Sequence, residues 1–292
     1  MSSMVAQDIK DWILSFWLML LNNAQFYAVE NRGGVEVLIA DFANHKFDAH
    51  WHETWSIGAV ITGAHDNSPK GNGDGVVTSG QVSLLAPGEV HAGKVLGSDN
   101  CKYVMFYVQE TELSKAFEQF EQRVPSISHM TVNSPELHQE LVQCAMQLAE
   151  PSSTMFDIDV CWTRCMGLLV ERLSQIVIVD DLSPKVEDFR KLVKARDYLE
   201  THYNELITLD HLAHEVNLSK FHLCRQFSRV FNISPNKYLR QLRLLKAKQL
   251  LGNGYPIASA AVACGFSDQS HLGRQFKATF GISPKKYAAE FK

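Results

Sequence analysis

Residues 35–108 alternate between short apolar stretches and clusters of Gly, Asn, Asp and Pro. The apolar stretches read VEVLIADF, WSIGAVITG, GVVTSGQVSLLAPGEV and KYVMFYV. Short apolar runs separated by turn residues predict several strands in a β-sandwich or a small barrel. The segment 65–75, HDNSPKGNGDG, has no apolar side chain and predicts a mobile hairpin loop between two strands.

After Val108 the apolar residues recur every three or four positions, which is the spacing of amphipathic helices. Three helices are predicted, at 110–122, 134–150 and 157–179. One apolar stripe in this region packs either on its own sheet, which is favoured, or on a second subunit: Leu137, Leu141, Ala145 and Leu148. The polar segment 180–184 is the predicted linker, and helical patterns follow it to the end of the chain.

A segment of the C-terminal third returns after 49 residues. The first copy contains Arg225-Gln226-Phe227, Phe231, Ser234-Pro235 and Tyr238, and the second contains Arg274-Gln275-Phe276, Phe280, Ser283-Pro284 and Tyr287. Two copies cannot bury the continuous core of a solenoid, so a paired binding unit is the favoured interpretation.

Each copy predicts a short helix, a turn and a second, capped helix, with caps at Ser219 and Ser267. This is the arrangement of a helix-turn-helix, whose second helix enters the major groove. Positions four residues apart predict the inward faces, which are Leu223, Phe227 and Phe231 in the first copy and Leu272, Phe276 and Phe280 in the second. The predicted DNA-facing residues are Lys220, Phe221, Cys224, Arg225 and Arg229 in the first copy and Gln269, Ser270, Gly273, Arg274 and Lys277 in the second.

The outward side chains suit base recognition, since Arg pairs with guanine O6 and N7 and Gln pairs with adenine N6 and N7. Gly273 lets its helix approach the groove floor. Phe221 contacts a thymine methyl group or, alternatively, covers the end of its own helix, whereas Lys220 and Arg229 are predicted to contact phosphates. A helix of about 17 residues, roughly 25 Å long, joins the copies and can hold them about one duplex turn, ~34 Å, apart.

Charge is divided unequally along the chain. Residues 184–292 contain eleven Lys, seven Arg and nine Asp or Glu, a net charge of +9, and the remaining residues carry −13. This asymmetry indicates that the C-terminal part meets a polyanion, with a solvated lysine-rich surface as the alternative. The length of 292 residues and the 46% apolar content predict two globular domains.

Six cysteines without a CxxC pair are typical of reduced thiols in a cytoplasmic protein. Cys161 and Cys165 share a helix face, where two packed thiols are favoured over a redox sensor. The apolar run 12–21 is too short to span a bilayer, so no membrane association is expected. It forms an interfacial or packed helix, or else it belongs to an extension upstream of a natural start at Met19.

The C-terminal third resembles the double helix-turn-helix domain of AraC/XylS-family transcription regulators. The matching pieces are Leu212-Ala213, the helix from Ser219 to Phe231, Ala260, Ala263 to Ser267, Phe276, and Phe280-Gly281-Ile282-Ser283-Pro284 before Tyr287. The resemblance implies specific binding of double-stranded promoter DNA and control of transcription, usually activation through RNA polymerase. It places base reading on Phe221, Cys224, Arg225, Gln269, Ser270, Gly273 and Arg274. Cys224 departs from the longer polar residue common at its position.

The N-terminal part carries His50-Trp51-His52 and, further on, Pro87-Gly88-Glu89-Val90-His91. On a strand, His50 and His52 lie on the same face, and His91 from a later strand can meet them. These motifs resemble those of cupins and, with the C-terminal resemblance, the ligand-binding jelly roll of AraC-family regulators. If the two histidines face inward, Trp51 faces outward or towards the DNA-binding domain.

Three uses of these histidines remain open: a small-molecule pocket, which is favoured, a metal site, and a structural cluster. The pocket is predicted to include His50, His52, Trp55, His91 and Tyr107. A facial triad would need a carboxylate near positions 56 and 57, where the chain has Ser and Ile, so His50, His52 and His91 are only weak metal candidates. No cofactor is predicted.

These patterns together predict an α+β protein of two domains that regulates transcription and is not an enzyme. The predicted divisions are an extension at 1–21, a cupin-like sensor barrel at 22–110, a helical dimerisation region with linker at 111–182, and the double helix-turn-helix at 183–292. A small-molecule effector, for which amino acids or other small polar metabolites are the first candidates, and a homodimer are expected. The alternatives are a metal-dependent cupin enzyme fused to a DNA-binding domain and an architectural DNA-binding protein.

Overall fold

The computed structural model describes residues 23–29, 34–43, 45–68, 75–97, 100–120, 122–125, 127, 129–151, 153–174 and 189–291. The predicted extension at 1–21 and the predicted linker at 180–184 lie outside these residues, as do positions 69–74 of the predicted hairpin loop. Among the described residues, none of the helices has the length and apolar content needed to cross a bilayer.

The N-terminal domain is built on two antiparallel sheets. Its strands are β1 (Asn23–Ala28), β2 (Glu36–Phe42), β3 (Lys46–His50), β4 (Trp55–Thr62), β5 (Ala64–Asp66), β6 (Val76–Thr78), β7 (Gln81–Leu85), β8 (His91–Leu96), β9 (Cys101–Val108) and β10 (His129–Asn133). The large sheet has the order β1-β2-β9-β4-β7-β10, and the small sheet has the order β3-β8-β5-β6. The predicted β-rich N-terminal domain is therefore confirmed.

The large sheet is covered on both faces, which explains why its strands read as continuous apolar runs. On β2, Val37 and Ile39 face a core shared with three helices, whereas Leu38 and Phe42 face the small sheet. Side chains alternate between the two faces of a strand, so one apolar run supplies both cores. The three helices are α1 (Glu110–Glu118), α2 (Pro135–Ala149) and α3 (Met155–Ser174).

The stripe on α2 packs on its own domain, because Leu137, Leu141 and Ala145 are fully buried against the large sheet. Two expectations for this domain differ from the structure. Strand β10 pairs with β7 from within the region expected to be helical. The predicted loop at 65–75 begins too early, since His65 and Asp66 form part of β5 and are buried.

All six cysteines are free thiols. Cys161 and Cys165 are buried on α3 in the core shared with α2. A hydrogen bond with Cys144, together with burial, raises the pKa of Cys161. Burial and a raised pKa make a thiol unreactive, which supports packed thiols over a redox sensor at this place.

The C-terminal domain is entirely helical in its described part. Its helices are α4 (Phe189–Thr201), α5 (Leu209–Glu215), α6 (Lys220–Phe231), α7 (Pro235–Gly252), α8 (Ile257–Ala263), α9 (Gln269–Phe280) and α10 (Pro284–Ala289). Helices α5 and α6 form the first helix-turn-helix unit, α8 and α9 form the second, and α7 joins them. The Ser219 hydroxyl caps α6, as predicted, by accepting from His222 N at 3.2 Å.

The second unit is capped differently from the prediction. Asp268, rather than Ser267, is the N-cap of α9, and its Oδ1 accepts from His271 N at 2.7 Å. Both side chains are common N-caps, and Asp268 is the residue 49 positions after Ser219. The internal repeat therefore identifies the cap better than the residue type does.

Candidate DNA interface and histidine cavity

The two recognition helices, α6 and α9, turn equivalent residues inward. Leu223 and Phe227 of α6 are fully buried, as are Leu272 and Phe276 of α9. Phe231 is half-buried, so its predicted burial is incomplete. Phe280 is buried as predicted, but it lines a cavity in the N-terminal domain in addition to contacting Phe276.

The ten residues predicted to face DNA all reach the surface. Eight are exposed, namely Lys220, Phe221, Arg225, Arg229, Gln269, Ser270, Arg274 and Lys277, and two are half-buried, namely Cys224 and Gly273. A Cβ atom added to Gly273 would meet no atom within 4 Å, so packing within the protein does not require a glycine there.

Two contacts adjust the predicted roles on α6. Phe221 is 75% exposed and lies under the guanidinium of Arg225, whose Cζ is 5.8 Å from the ring centroid. This arrangement can hold the arginine in an extended conformation. Lys220 forms an exposed ion pair with Asp210 of α5, with Nζ and Oδ1 2.9 Å apart, so its charge is shared between that carboxylate and any phosphate.

The predicted histidine cluster forms at the end of β3 and the start of β8. His50, His52 and His91 each place a ring nitrogen within 4.8 Å of the others. All three are buried. Burial, which disfavours the charged form, lowers the pKa of His50 and lowers those of His52 and His91 well below the usual value.

Hydrogen bonds fix the tautomers of two of these rings. Nδ1 of His50 donates to the carbonyl oxygen of Asp48 at 2.7 Å, and Nδ1 of His91 donates to the carbonyl oxygen of Glu89 at 3.0 Å. A carbonyl oxygen can only accept, so Nδ1 carries the proton and Nε2 of the neutral ring keeps a lone pair.

The cavity beside the cluster is small, about 40 Å³. Its lining comprises Phe26, Leu38, Phe47, His50, His52, His65, Asn67, His91, Gly93, Tyr103, Met105, Tyr107, Thr279 and Phe280. Of the predicted pocket residues, Trp55 lies elsewhere. It is the first residue of β4, it is buried in the core with α1 to α3, and its Nε1 donates to Glu110.

Sequence reasoning missed His65, which the loop prediction placed outside the site. Its Nδ1 donates to Asn67 Oδ1 at 2.6 Å, which leaves Nε2 as an acceptor. That atom is buried and has no hydrogen-bond partner among the described residues. Gly93 makes the room, because a Cβ there would lie 3.1 Å from His65 Cε1 and 2.6 Å from Phe47 Cδ2. His91 and Gly93 are two positions apart on β8 and therefore lie on the same face of the strand. This spacing is the sequence signal that could have placed the space above Gly93 beside the histidine cluster.

The two domains pack directly on one another. Trp51 stacks on Tyr238 of α7 with ring centroids 4.4 Å apart, which confirms that it faces the DNA-binding domain. Gln241 Nε2 donates to the Trp51 carbonyl at 3.2 Å. Among the described residues, three ion pairs cross the interface, namely Arg240–Asp48, Lys246–Glu53 and Lys248–Glu36.

Lys248 lies at the centre of this interface. It pairs with Glu36, and its Nζ lies 5.0 Å from the ring centroids of both Phe26 and Tyr107. Glu36 also accepts from the Tyr287 hydroxyl at 2.7 Å. The hydrophobic core between the sheets therefore continues without interruption into the helical domain.

Comparison with known proteins agrees with this architecture. Residues 32–158 match the AraC-like ligand binding domain, and residues 212–290 match a helix-turn-helix domain. The chain is 27% identical over 227 residues to the uncharacterized HTH-type transcriptional regulator YbfI of Bacillus subtilis, covering 77% of this chain and 81% of that protein. It is 29% identical over 145 residues to the HTH-type transcriptional activator RhaS of Escherichia coli, covering 49% and 51% respectively.

Among solved structures, the chain resembles ToxT from Vibrio cholerae with an unsaturated fatty acid bound, with a TM-score of 0.53 and 14% identity, covering 89% of this chain and 96% of that one. At that identity the likeness concerns the fold. The likeness spans both domains, in the same order along the chain. The protein belongs to the AraC family of transcription regulators, with an AraC-like ligand-binding domain followed by a DNA-binding helix-turn-helix domain.

Proposed function

We propose that this regulator binds promoter DNA through α6 and α9 together and activates transcription under the control of an effector held by the N-terminal domain. The observation that carries the proposal is that Arg225 and Arg274 occupy equivalent, outward-facing positions in the two units. These residues are 49 positions apart in equivalent units, and both are exposed while their neighbours Phe227 and Phe276 are fully buried. Two recognition helices on one chain can read successive major-groove segments.

Activation is supported by the relative RhaS, which is described as a transcriptional activator. In this proposal the chain acts as a homodimer and contacts RNA polymerase when it is bound next to the promoter. Run-off transcription with purified polymerase tests this role directly. Less transcript in the presence of the regulator would contradict activation.

Effector control is supported by the position of the histidine cavity. Thr279 and Phe280 of α9 form part of its lining, so an effector that entered or widened this cavity would act directly on the second recognition helix. Binding there can favour one placement of α9 over another, and the effector shifts the equilibrium only by its difference in affinity for the two placements.

The DNA contacts are tested by comparing Arg274→Ala with Lys277→Ala. The operator is first located by footprinting, and affinities for operator and random DNA are then measured over a range of salt concentrations. Arg274→Ala should lose ~1–3 kcal/mol on the operator and relax specificity at one base pair, because a bidentate base contact is removed. Lys277→Ala should weaken binding to all sequences alike and reduce the salt slope by about one.

Lys220→Ala is expected to behave like Lys277→Ala, with the added effect that Asp210 loses its partner and repels the nearby phosphates. An equal loss on operator and random DNA for Arg274→Ala would contradict base reading by that residue.

A further inference from the structure

The histidine cavity is much smaller than a pocket for an organic ligand. Pockets for organic ligands usually enclose ~300–1,000 Å³, whereas this cavity has about 40 Å³. A water molecule occupies about 30 Å³ of liquid. With the domains packed as they are, the cavity has room for a single ion with a water-sized ligand.

We propose that His50, His52 and His91 form a binding site for one divalent transition-metal ion of the zinc class. Their ring nitrogens lie within 4.8 Å of one another. Metal–nitrogen bonds of about 2.0–2.1 Å in a tetrahedral arrangement bring three such nitrogens to about 3.4 Å from one another. The rings therefore need to close by at most about 1.5 Å.

The outer hydrogen bonds of the cluster favour metal binding. Histidines that bind metals usually donate their second ring nitrogen to a carbonyl or carboxylate, which fixes the tautomer that leaves the other nitrogen free. His50 and His91 have this arrangement, with the carbonyls of Asp48 and Glu89 as acceptors. In both rings Nε2 is thus the nitrogen available for coordination.

The buried ring of His65 is an independent observation that points to a bound ligand. It is 7% exposed, and its unpartnered Nε2 belongs to the lining of the same cavity. A buried acceptor without a donor is destabilising. A water or hydroxide bound to the ion at its fourth position would donate to this nitrogen and satisfy it.

The ligand set determines the class of ion. The described residues lining the cavity include no carboxylate, and Glu53, which follows His52, instead pairs with Lys246 at 3.0 Å. Neutral imidazoles suit zinc, iron, nickel and copper rather than magnesium or calcium. Lys248, whose charge acts on His52, is paired with Glu36 and so opposes a bound ion less than a free ammonium would.

Occupancy of this site would be felt by α9, since Thr279 and Phe280 lie against the same cavity. This coupling between the metal site and α9 rests on the proposed function, whereas metal binding itself does not. Drawing the three rings together changes the cavity surface on which Phe280 packs. Because Phe280 belongs to α9, the preferred placement of the second recognition helix changes as well.

Metal binding is tested on the full-length chain freed of metal with a chelator. Zinc is titrated by calorimetry, and cobalt is titrated by its visible absorption, whose intensity distinguishes four-coordinate from six-coordinate ions. One site per chain and a low-coordinate cobalt spectrum are expected, together with a rise in melting temperature on zinc addition. Absence of saturable one-to-one binding in the wild type would overturn the site.

Three variants locate the ion. His52→Gln and His91→Gln should each weaken zinc binding by at least about 100-fold. His214→Gln, at an exposed position on α5, is the matched control and should bind like the wild type. Unchanged affinity in both cluster variants would overturn the assignment. If either of these variants is misfolded by circular dichroism, His65→Gln, which keeps all three ligands, should still bind one ion but alter the cobalt spectrum. An unaltered spectrum would contradict the role of His65.

Operator affinity with and without zinc then tests the coupling. A change of at least about threefold is expected. Metal binding without such a change would refute the coupling alone. Normal operator binding in a chain that takes no metal would leave the proposed function standing and remove this inference.

Discussion

The two helix-turn-helix units share one internal design but differ in what they touch. In the first unit, α6 ends at Asn232, and Val230, Phe231 and Asn232 border a groove of about 700 Å³ between the domains. In the second unit, α9 ends at Gly281 against Phe42 of the sensor domain. The Nζ of Lys286 also donates to the Ala24 carbonyl at 2.6 Å. Under the proposed effector control, this difference predicts that a change in the N-terminal domain acts on the second unit before the first.

The first way to test the comparison is to remove the equivalent core side chains. Phe227→Ala and Phe276→Ala should each lower the free energy of unfolding by ~3–5 kcal/mol, because both rings are fully buried in their units. Urea denaturation followed by circular dichroism measures this loss. Similar losses would show that the units are equally well packed. A loss below about 1 kcal/mol for either variant would mean that its unit is not held by this core.

Exchanging the C-cap residues of α6 and α9 distinguishes the two units more clearly. Gly281 and Asn232 occupy equivalent positions, and both have a positive φ, +77° and +54° respectively. Gly281→Asn is tolerated by the backbone, since Asn accepts this conformation, but its Cβ would lie 2.6 Å from Phe42 Cζ. Overpacking of this kind should destabilise the domain interface by ~1–3 kcal/mol. Asn232→Gly is the matched control and should leave the interface intact.

Domain separation is read from small-angle scattering and from Trp51 fluorescence. Trp51 is buried against Tyr238, so its emission should shift to longer wavelength when the domains part. Repeating the measurement in a Trp51→Phe variant identifies the contribution of Trp51 to the fluorescence of the five tryptophans. An unchanged radius of gyration and emission in Gly281→Asn would contradict a sensor contact at α9.

The smallest expected effect concerns the outward faces. Phe221 corresponds to Ser270 in the second unit, and Phe221→Ser makes the two faces alike at this position. Because Phe221 is 75% exposed, stability should be unchanged. Operator affinity should fall by about 1 kcal/mol or less, through loss of a thymine-methyl contact or of the support for Arg225. A clear loss of thermal stability would instead assign the ring to covering its helix end.

Periodicity was sufficient to predict the elements whose partners lie close in sequence. The 49-residue repeat located both recognition helices and their inward residues, and the His-x-His spacing located two of the clustered rings. Each of these depends on local geometry, namely i, i+4 on a helix or i, i+2 on a strand. Where one such rule governed a position, the prediction and the structure agree, except at Phe231, whose burial is incomplete.

The elements that were missed depend on distant partners. Strand β10 exists because it pairs with β7, whose partner residues lie 44 to 52 positions earlier, and its sequence HMTVN carries no strong signal of its own. His65 is brought into the cavity by the space above Gly93. The charge asymmetry was interpreted as a signal for DNA, yet three basic residues of α7 pair with the acidic sensor domain instead.

The open space above Gly273 has a consequence for how such a regulator diverges. A glycine in the middle of a helix lowers stability by up to ~1 kcal/mol relative to alanine, and nothing in the protein occupies the volume that a side chain would fill. In the proposed DNA complex, substitution of Gly273 by alanine or another good helix former would therefore strengthen the fold while placing a new group against the bases. Duplicated copies of the gene can acquire different operators at this position without first becoming unstable.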